Sequence, residues 1–129
     1  MERVKMTDNG TIRTFETGAT RDTAEGKLDY EGFLSPEVLC RYAQYLDKHR
    51  IQSDGTLRES DNWQKGIARS VYMKSMFRHF MEVWLHHRKE PYNAGACGCK
   101  AFEEAVCAVI FNAMGYLFEL LKERSNAKT

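Results

Sequence analysis

The chain lacks most of the features that would assign it to an extreme class of protein. No unbroken apolar run approaches the ~20 residues that a membrane-crossing helix requires, and the first residues, Met1-Glu2-Arg3-Val4-Lys5, are charged where a secretory leader needs an apolar stretch. A cytoplasmic chain with no membrane partner is the expectation. Charge of one sign is missing too: 19 Lys and Arg stand against 18 Asp and Glu, for a net +1. No overall field therefore recruits nucleic acid, and any anionic ligand must be met locally. Cys40 and Cys107 sit within apolar helical patterns and only Cys97 and Cys99 lie close together, so the cysteines make no disulfide framework; a reducing compartment fits. Two thiols also fall short of the four ligands of a structural zinc site. Internal repeats and low-complexity segments are absent, and 129 residues supply one hydrophobic core rather than two.

What the chain does have is a long apolar segment, Ala101 to Glu123, whose periodicity defines two faces. At about 100° per residue, Phe102, Val106, Val109, Ile110, Ala113, Leu117, Leu120 and Leu121 gather into a broad apolar arc, which predicts a helix with its core face there. Nearly opposite run Ala101, Ala105, Ala108, Asn112 and Gly115, all small, with Glu104 and Glu119 on the flank. A solvated face would carry Lys, Glu and Gln. The row therefore predicts a close approach, by a neighbouring helix or by a ligand.

Upstream, Met1 to Thr14 is polar, and Thr11 to Phe15 is at most one short strand after the Asn9-Gly10 turn signal. Thr17 to Lys27 then combines Gly18 and Gly26 with Arg21 and Lys27 and has hardly an apolar side chain. Such a stretch either offers N–H groups and cations to phosphates or is a flexible polar arm. It is not a P-loop, because the glycine spacing is too long and Leu28 follows Lys27 where Ser or Thr is required. Ser35-Pro36-Glu37 announces a helix by N-cap, first-turn proline and early acid, and Val38, Leu39, Tyr42, Ala43, Tyr45 and Leu46 carry it to about His49. A loop rich in turn formers follows, ending in Asn62-Trp63-Gln64-Lys65-Gly66, where Trp63 either plugs the end of the core or stacks on a base.

A second long helix is predicted from about Ser70 to His87. Met73, Met76, Phe77, Phe80, Met81 and Trp84 form its core arc, and Ser75, Arg78, His79, Glu82 and His86 form a polar stripe. His79, Glu82 and His86 could share a metal or a water, although such a stripe is ordinarily solvated. The linker from Lys89 to Lys100, with Pro91, Gly95 and Gly98, leads into the last helix, and the tail beyond Arg124 is polar and frays.

Three stretches in order, Thr17 to Lys27, Asn62 to Gly66, and Arg78-His79-Phe80 followed by Glu104 and Asn112, resemble the phage-associated dATP/dGTP diphosphohydrolase N-terminal domain family, the MazZ-like enzymes. The resemblance runs over roughly Thr17 to Glu123. That family is similar in turn to the all-α MazG and dimeric dUTPase group, in which helix carboxylates hold Mg²⁺ or Mn²⁺ and water attacks a phosphate to release pyrophosphate. The MazG pattern E-x-x-E then E-x-x-D reads here as His79-x-x-Glu82 and Glu104-x-x-Cys107, so Glu82 and Glu104 are the carboxylates that remain.

The resemblance implies an all-α helical bundle with a partly irregular N-terminal arm. The arm would cover 1–16, a single nucleotide-binding domain 17–124 and a tail 125–129. It implies hydrolysis of a purine deoxynucleoside triphosphate, dGTP or dATP, to the monophosphate and pyrophosphate, in the host cytoplasm if a phage encodes the chain. Glu82 and Glu104 would hold Mg²⁺ or Mn²⁺, hard cations that prefer oxygen ligands, with Asn112 as a further oxygen and Glu103 or Glu119 in reserve should the register differ. His79 would ligate the metal or orient the attacking water. Arg21, Lys27, Lys65 and Arg78 would meet the phosphates, and Asn62 and Trp63 the base. A homo-oligomer, dimer or tetramer, is expected, because a lone three-helix unit would leave one face of the last helix partly uncovered. The alternatives are a nucleotide-binding or sequestering protein without turnover, and an oligomeric interaction module.

Overall fold

The computed structural model describes residues 12–93 and 99–127, with side chains over 12–89 and 100–127. Among the described residues the fold is mainly helical, with one two-stranded sheet, so the mainly-α expectation holds. It divides into two units, Met1–Pro36 and Glu37–Thr129.

In the first unit β1 (Ile12–Thr14) pairs antiparallel with β2 (Thr20–Asp22), Arg13 standing opposite Arg21. The turn closes when Phe15 N–H donates to the Ala19 carbonyl at 2.9 Å and Gly18, at φ 89°, donates to the Phe15 carbonyl at 2.8 Å. β-Branched Ile12, Thr14 and Thr20 suit extended backbone. The stretch expected to be an irregular arm or phosphate loop is thus partly the second strand of a hairpin, and the expected boundary at residue 16 falls in its turn. A single helical turn, α1 (Tyr30–Phe33), follows, capped by Asp29 Oδ1 accepting from Gly32 N–H at 2.9 Å.

The second unit is built on α2 (Pro36–Lys48), α3 (Arg69–Asn93) and α4 (Cys99–Ala127), with a short 3₁₀ turn at Asn62–Lys65. Both long helices outrun their expected ends, and Ser125 to Ala127 continues α4 where fraying is expected. Pro91, which removes a backbone donor, stands just before the end of α3. Gly95, Cys97 and Gly98 of the expected linker lie outside the described residues, as does the side chain of Cys99. Contacts from His86–Phe102 through Tyr72–Phe111 to Arg69–Glu123 make α3 and α4 antiparallel.

The small-residue row meets the close neighbour expected of it, whereas the large-residue arcs are not the core they were expected to be. Ala105, Ala108, Asn112 and Gly115 are buried, and the Tyr72 ring, 2% exposed, lies over Gly115 so closely that a Cβ there would run into it. The expected core arcs are largely outside: Phe77 is 62% exposed and Leu117 54%, and Met73, Phe80, Met81, Trp84, Val106 and Leu120 are exposed as well. Periodicity shows which residues share a face, not which face the neighbour takes. Small side chains let two helices approach at the short end of the usual 8–10 Å, and α3 fills the space with one large ring.

Docking of α2 onto α4 is by longer side chains. Tyr42 is buried with its hydroxyl 3.5 Å from Met114 Sδ, Arg41 Nε donates to Glu103 Oε1 at 2.8 Å, and Lys48 Nζ to Glu104 Oε1 at 2.5 Å. By length and composition α4, over Lys100–Ala127, also passes as a membrane span, with 28% of its most apolar window buried. A core helix with scattered charges passes the same test, so the lack of an unbroken apolar run is a weaker separator than it looks.

Candidate functional site

The loop after α2 folds back on itself. Ile51 bridges Leu57, Arg58 N–H donates to the Arg50 carbonyl at 2.8 Å, and Arg50 Nε returns a bond to the Arg58 carbonyl at 2.8 Å. Gly55, at φ 87°, makes the turn, and Asp54 Oδ1 accepts from the Thr56 N–H and hydroxyl, which holds its carboxyl below the usual range. After this hairpin the 3₁₀ turn settles on the C-terminal half of α4. The Trp63 ring meets Phe118 at 4.9 Å and Phe111 at 6.2 Å, both edge-on, and Ile67 N–H donates to Glu119 Oε1 at 3.2 Å.

Between the hairpin, the 3₁₀ turn and the three helices is a cavity of about 290 Å³. Tyr45 lines it from α2 and His49 from just past the end of that helix, Arg50 and Arg58 from the hairpin, Asn62 and Trp63 from the 3₁₀ turn, Ser75 and His79 from α3, and Phe111 and Asn112 from α4. Tyr45 and His49 lie four apart on one helix face, ring centroids 4.3 Å apart. Burial pushes the Tyr45 hydroxyl up, reinforced by Cys107, Glu104 and Glu82. Burial pulls His49 down; Lys48, His79 and Arg58 act in the same direction and Glu104 opposes them. Asn112 is buried and donates its amide to the Ala108 carbonyl at 2.8 Å. His79 has its Nδ1 buried without a hydrogen-bond partner among the described residues, 3.5 Å from Glu82 Oε2.

Of the residues expected to act, Asn62, Trp63, His79 and Asn112 come together at the cavity, with Glu82 beside His79. Glu104 lies against Lys48, which holds its carboxyl below the ordinary range, with His49 and Arg41 adding to the effect. Lys65 and Arg78 are exposed and do not line the cavity, and Arg21 and Lys27 belong to the first unit. Trp63 packs against Phe111 and Phe118 of α4, as the core-plug reading expects, and it also walls the cavity. Sequence reasoning missed Tyr45, His49, Arg50, Arg58 and Ser75. The available signals were the Tyr45/His49 spacing and the Ser53-Asp54-Gly55 turn flanked by Arg50 and Arg58.

Among the described residues no three His, Cys, Asp or Glu side chains converge as a metal site. Glu82 lies beside His79 and Glu104 is paired with Lys48, so a Mg²⁺ or Mn²⁺ on these two carboxylates would first have to displace Lys48. No family model, curated protein or solved structure matches the chain. The chemistry of the site therefore rests on its own side chains.

Proposed function

We propose that this protein binds a purine deoxynucleotide in the cavity beside the 50–58 hairpin. The observation that carries the reading is the pairing, in one cavity lining, of the aromatic residues Tyr45, His49, Trp63 and Phe111 with the arginines Arg50 and Arg58. Rings offer stacking to a base, amides at Asn62 and Asn112 offer hydrogen bonds to its edge, and cations suit phosphate. At about 290 Å³ the cavity sits at the small end of ligand pockets, ~300–1,000 Å³, so base and sugar would fill it and leave phosphate at the mouth. Calorimetric titration with each deoxynucleoside mono- and triphosphate tests this: one saturable site per chain with purine preferred supports it, and no binding at millimolar ligand refutes it.

Hydrolysis to monophosphate and pyrophosphate is a second reading, favoured by His79, whose unpartnered Nδ1 beside Glu82 suits a residue that orients a water. It would need Mg²⁺ or Mn²⁺ held by Glu82 and Glu104, and Lys48 would first have to leave Glu104. Incubation with dGTP or dATP and either metal, followed by separation of products, distinguishes turnover from binding alone.

The outward apolar faces support a homo-oligomer as part of the same proposal. Phe77, Phe80 and Trp84, each about half exposed or more, belong to a class of side chain that covers ~150–250 Å² each when buried. With Met73, Met81 and Leu85 and the outer face of α4, the uncovered area is on the order of the ~800 Å² per partner of a stable interface.

A further inference from the structure

We propose that Arg58, assisted by Arg50, is the phosphate subsite of the cavity, and that it holds the phosphate without a divalent cation. The inference rests on the nucleotide-binding reading and names how the charged end of that ligand is met.

The 50–58 hairpin sets two arginines opposite each other at the wall of the cavity. Reciprocal bonds between Arg50 and Arg58, both 2.8 Å, fix the two strands in register at their open end, and both residues line the cavity. Arg58 contributes only backbone atoms to those bonds, and its guanidinium has no carboxylate partner among the described residues. Arg50 spends Nε on the hairpin and holds Asp47 loosely, at 3.4 Å, with that carboxylate 77% exposed. Glu59 is the one acid among the residues lining the cavity, against these two arginines and two histidines, His49 and His79. Guanidinium groups bind phosphate oxygens through paired N–H donors and stay charged at any working pH.

A divalent cation in a nucleotide site is ordinarily held by one or two protein carboxylates together with the phosphates. Here Glu104 is occupied by Lys48 at 2.5 Å, and Arg41, two turns earlier on α2, occupies Glu103 at 2.8 Å. The acids at the start of α4 serve to dock α2. Positive charge for the phosphate comes instead from the hairpin.

The test is calorimetric titration of the full chain with deoxyguanosine, dGMP and dGTP, each with EDTA and again with Mg²⁺. In EDTA dGMP should bind at least roughly tenfold more tightly than deoxyguanosine, and Mg²⁺ should leave its affinity within about a factor of three. Arg58→Ala should weaken dGMP roughly ten- to a hundredfold, the scale of a charge-assisted hydrogen bond pair, while deoxyguanosine binding and the melting temperature stay unchanged. Arg58→Lys should fall between. Nucleotide binding that strictly requires Mg²⁺, or that survives Arg58→Ala undiminished, overturns the subsite and leaves the nucleotide reading standing. Absence of binding by nucleoside and nucleotides alike overturns both.

Discussion

The two faces of α4 have opposite characters. The inward face, Ala105, Ala108, Asn112 and Gly115, is built of small side chains and is buried; the outward face, with Val106, Leu117 and Leu120, is built of large ones and is exposed. The same division runs along α3, where Tyr72 points in and Phe77, Phe80 and Trp84 point out. Close approach and surface removed from water are separate sources of stability. The inward faces provide close approach within one chain. The outward faces hold most of the apolar area, and in water that area contributes only when something covers it.

The comparison breaks most severely at Gly115. Replacing it by Ala forces the Tyr72 ring out of its place, and overpacking of this kind costs about 1–3 kcal/mol; Gly115→Val should cost more or prevent folding. Leu117→Ala, only two positions away on the opposite face, should leave the melting temperature of dilute protein nearly unchanged. Equal losses for Gly115→Ala and Leu117→Ala in thermal melts of dilute protein would erase the distinction between the faces.

Phe77→Asp combined with Trp84→Asp sharpens the other side of it. If a second copy covers the outward faces, this variant should be monomeric by light scattering, with self-association weakened by at least about 2 kcal/mol, the scale of an interface hot spot. Its melting temperature should stop depending on protein concentration, whereas that of the parent should rise with it. A parent chain that is monomeric at every concentration, or that enters lipid vesicles in preference to pairing, contradicts the homo-oligomer.

Tyr72→Phe is a smaller probe of the inward face. The Tyr72 hydroxyl is buried with no hydrogen-bond partner among the described residues, so its removal should be neutral or stabilise by up to about 1 kcal/mol. A loss of stability in chemical denaturation would show that the hydroxyl is bonded after all.

Smallest is the effect of pH. His49 is held below its ordinary 6.5, first by burial, so the unfolded chain takes up its proton before the folded one does. Its contribution is complete above about pH 6.5 and is lost as the pH falls through the folded value. Glu104, held below its ordinary 4.5 by Lys48, adds a further loss at more acid pH with the same sign. Melting temperature should therefore decline from pH 7 towards pH 5, and His49→Gln should flatten the upper part of that decline. A rise over this range contradicts the assignment.

Helix positions were legible from the sequence because Ser35-Pro36-Glu37 and the long apolar periodicities are local signals. Which way α3 and α4 face was not, since the arc of Phe77 and Trp84 looks the same whether a neighbour in the chain or a second copy covers it. The row from Ala105 to Gly115 did carry the right information: small residues meant close approach. At the site, Asn62, Trp63, His79 and Asn112 could be picked out by residue type, and all line the cavity. Arg50 and Arg58 could not, because their meeting depends on an Ile51–Leu57 bridge within a stretch whose turn formers looked like plain loop. Lys48 escaped notice for a related reason: a lysine at the end of a helix is usually solvated, and only the packing of α2 brings it to Glu104.

The central claim is that a nucleotide enters the cavity, and Trp63 reports on it directly. The chain has two tryptophans, and Trp84→Phe leaves Trp63 as the sole reporter. Titrating that variant with dGMP and dGTP should quench and shift Trp63 emission along a saturable curve, with Arg58→Ala displacing the curve to higher ligand concentration. Emission that stays constant up to millimolar nucleotide, in a protein shown by its melt to be folded, would contradict the account.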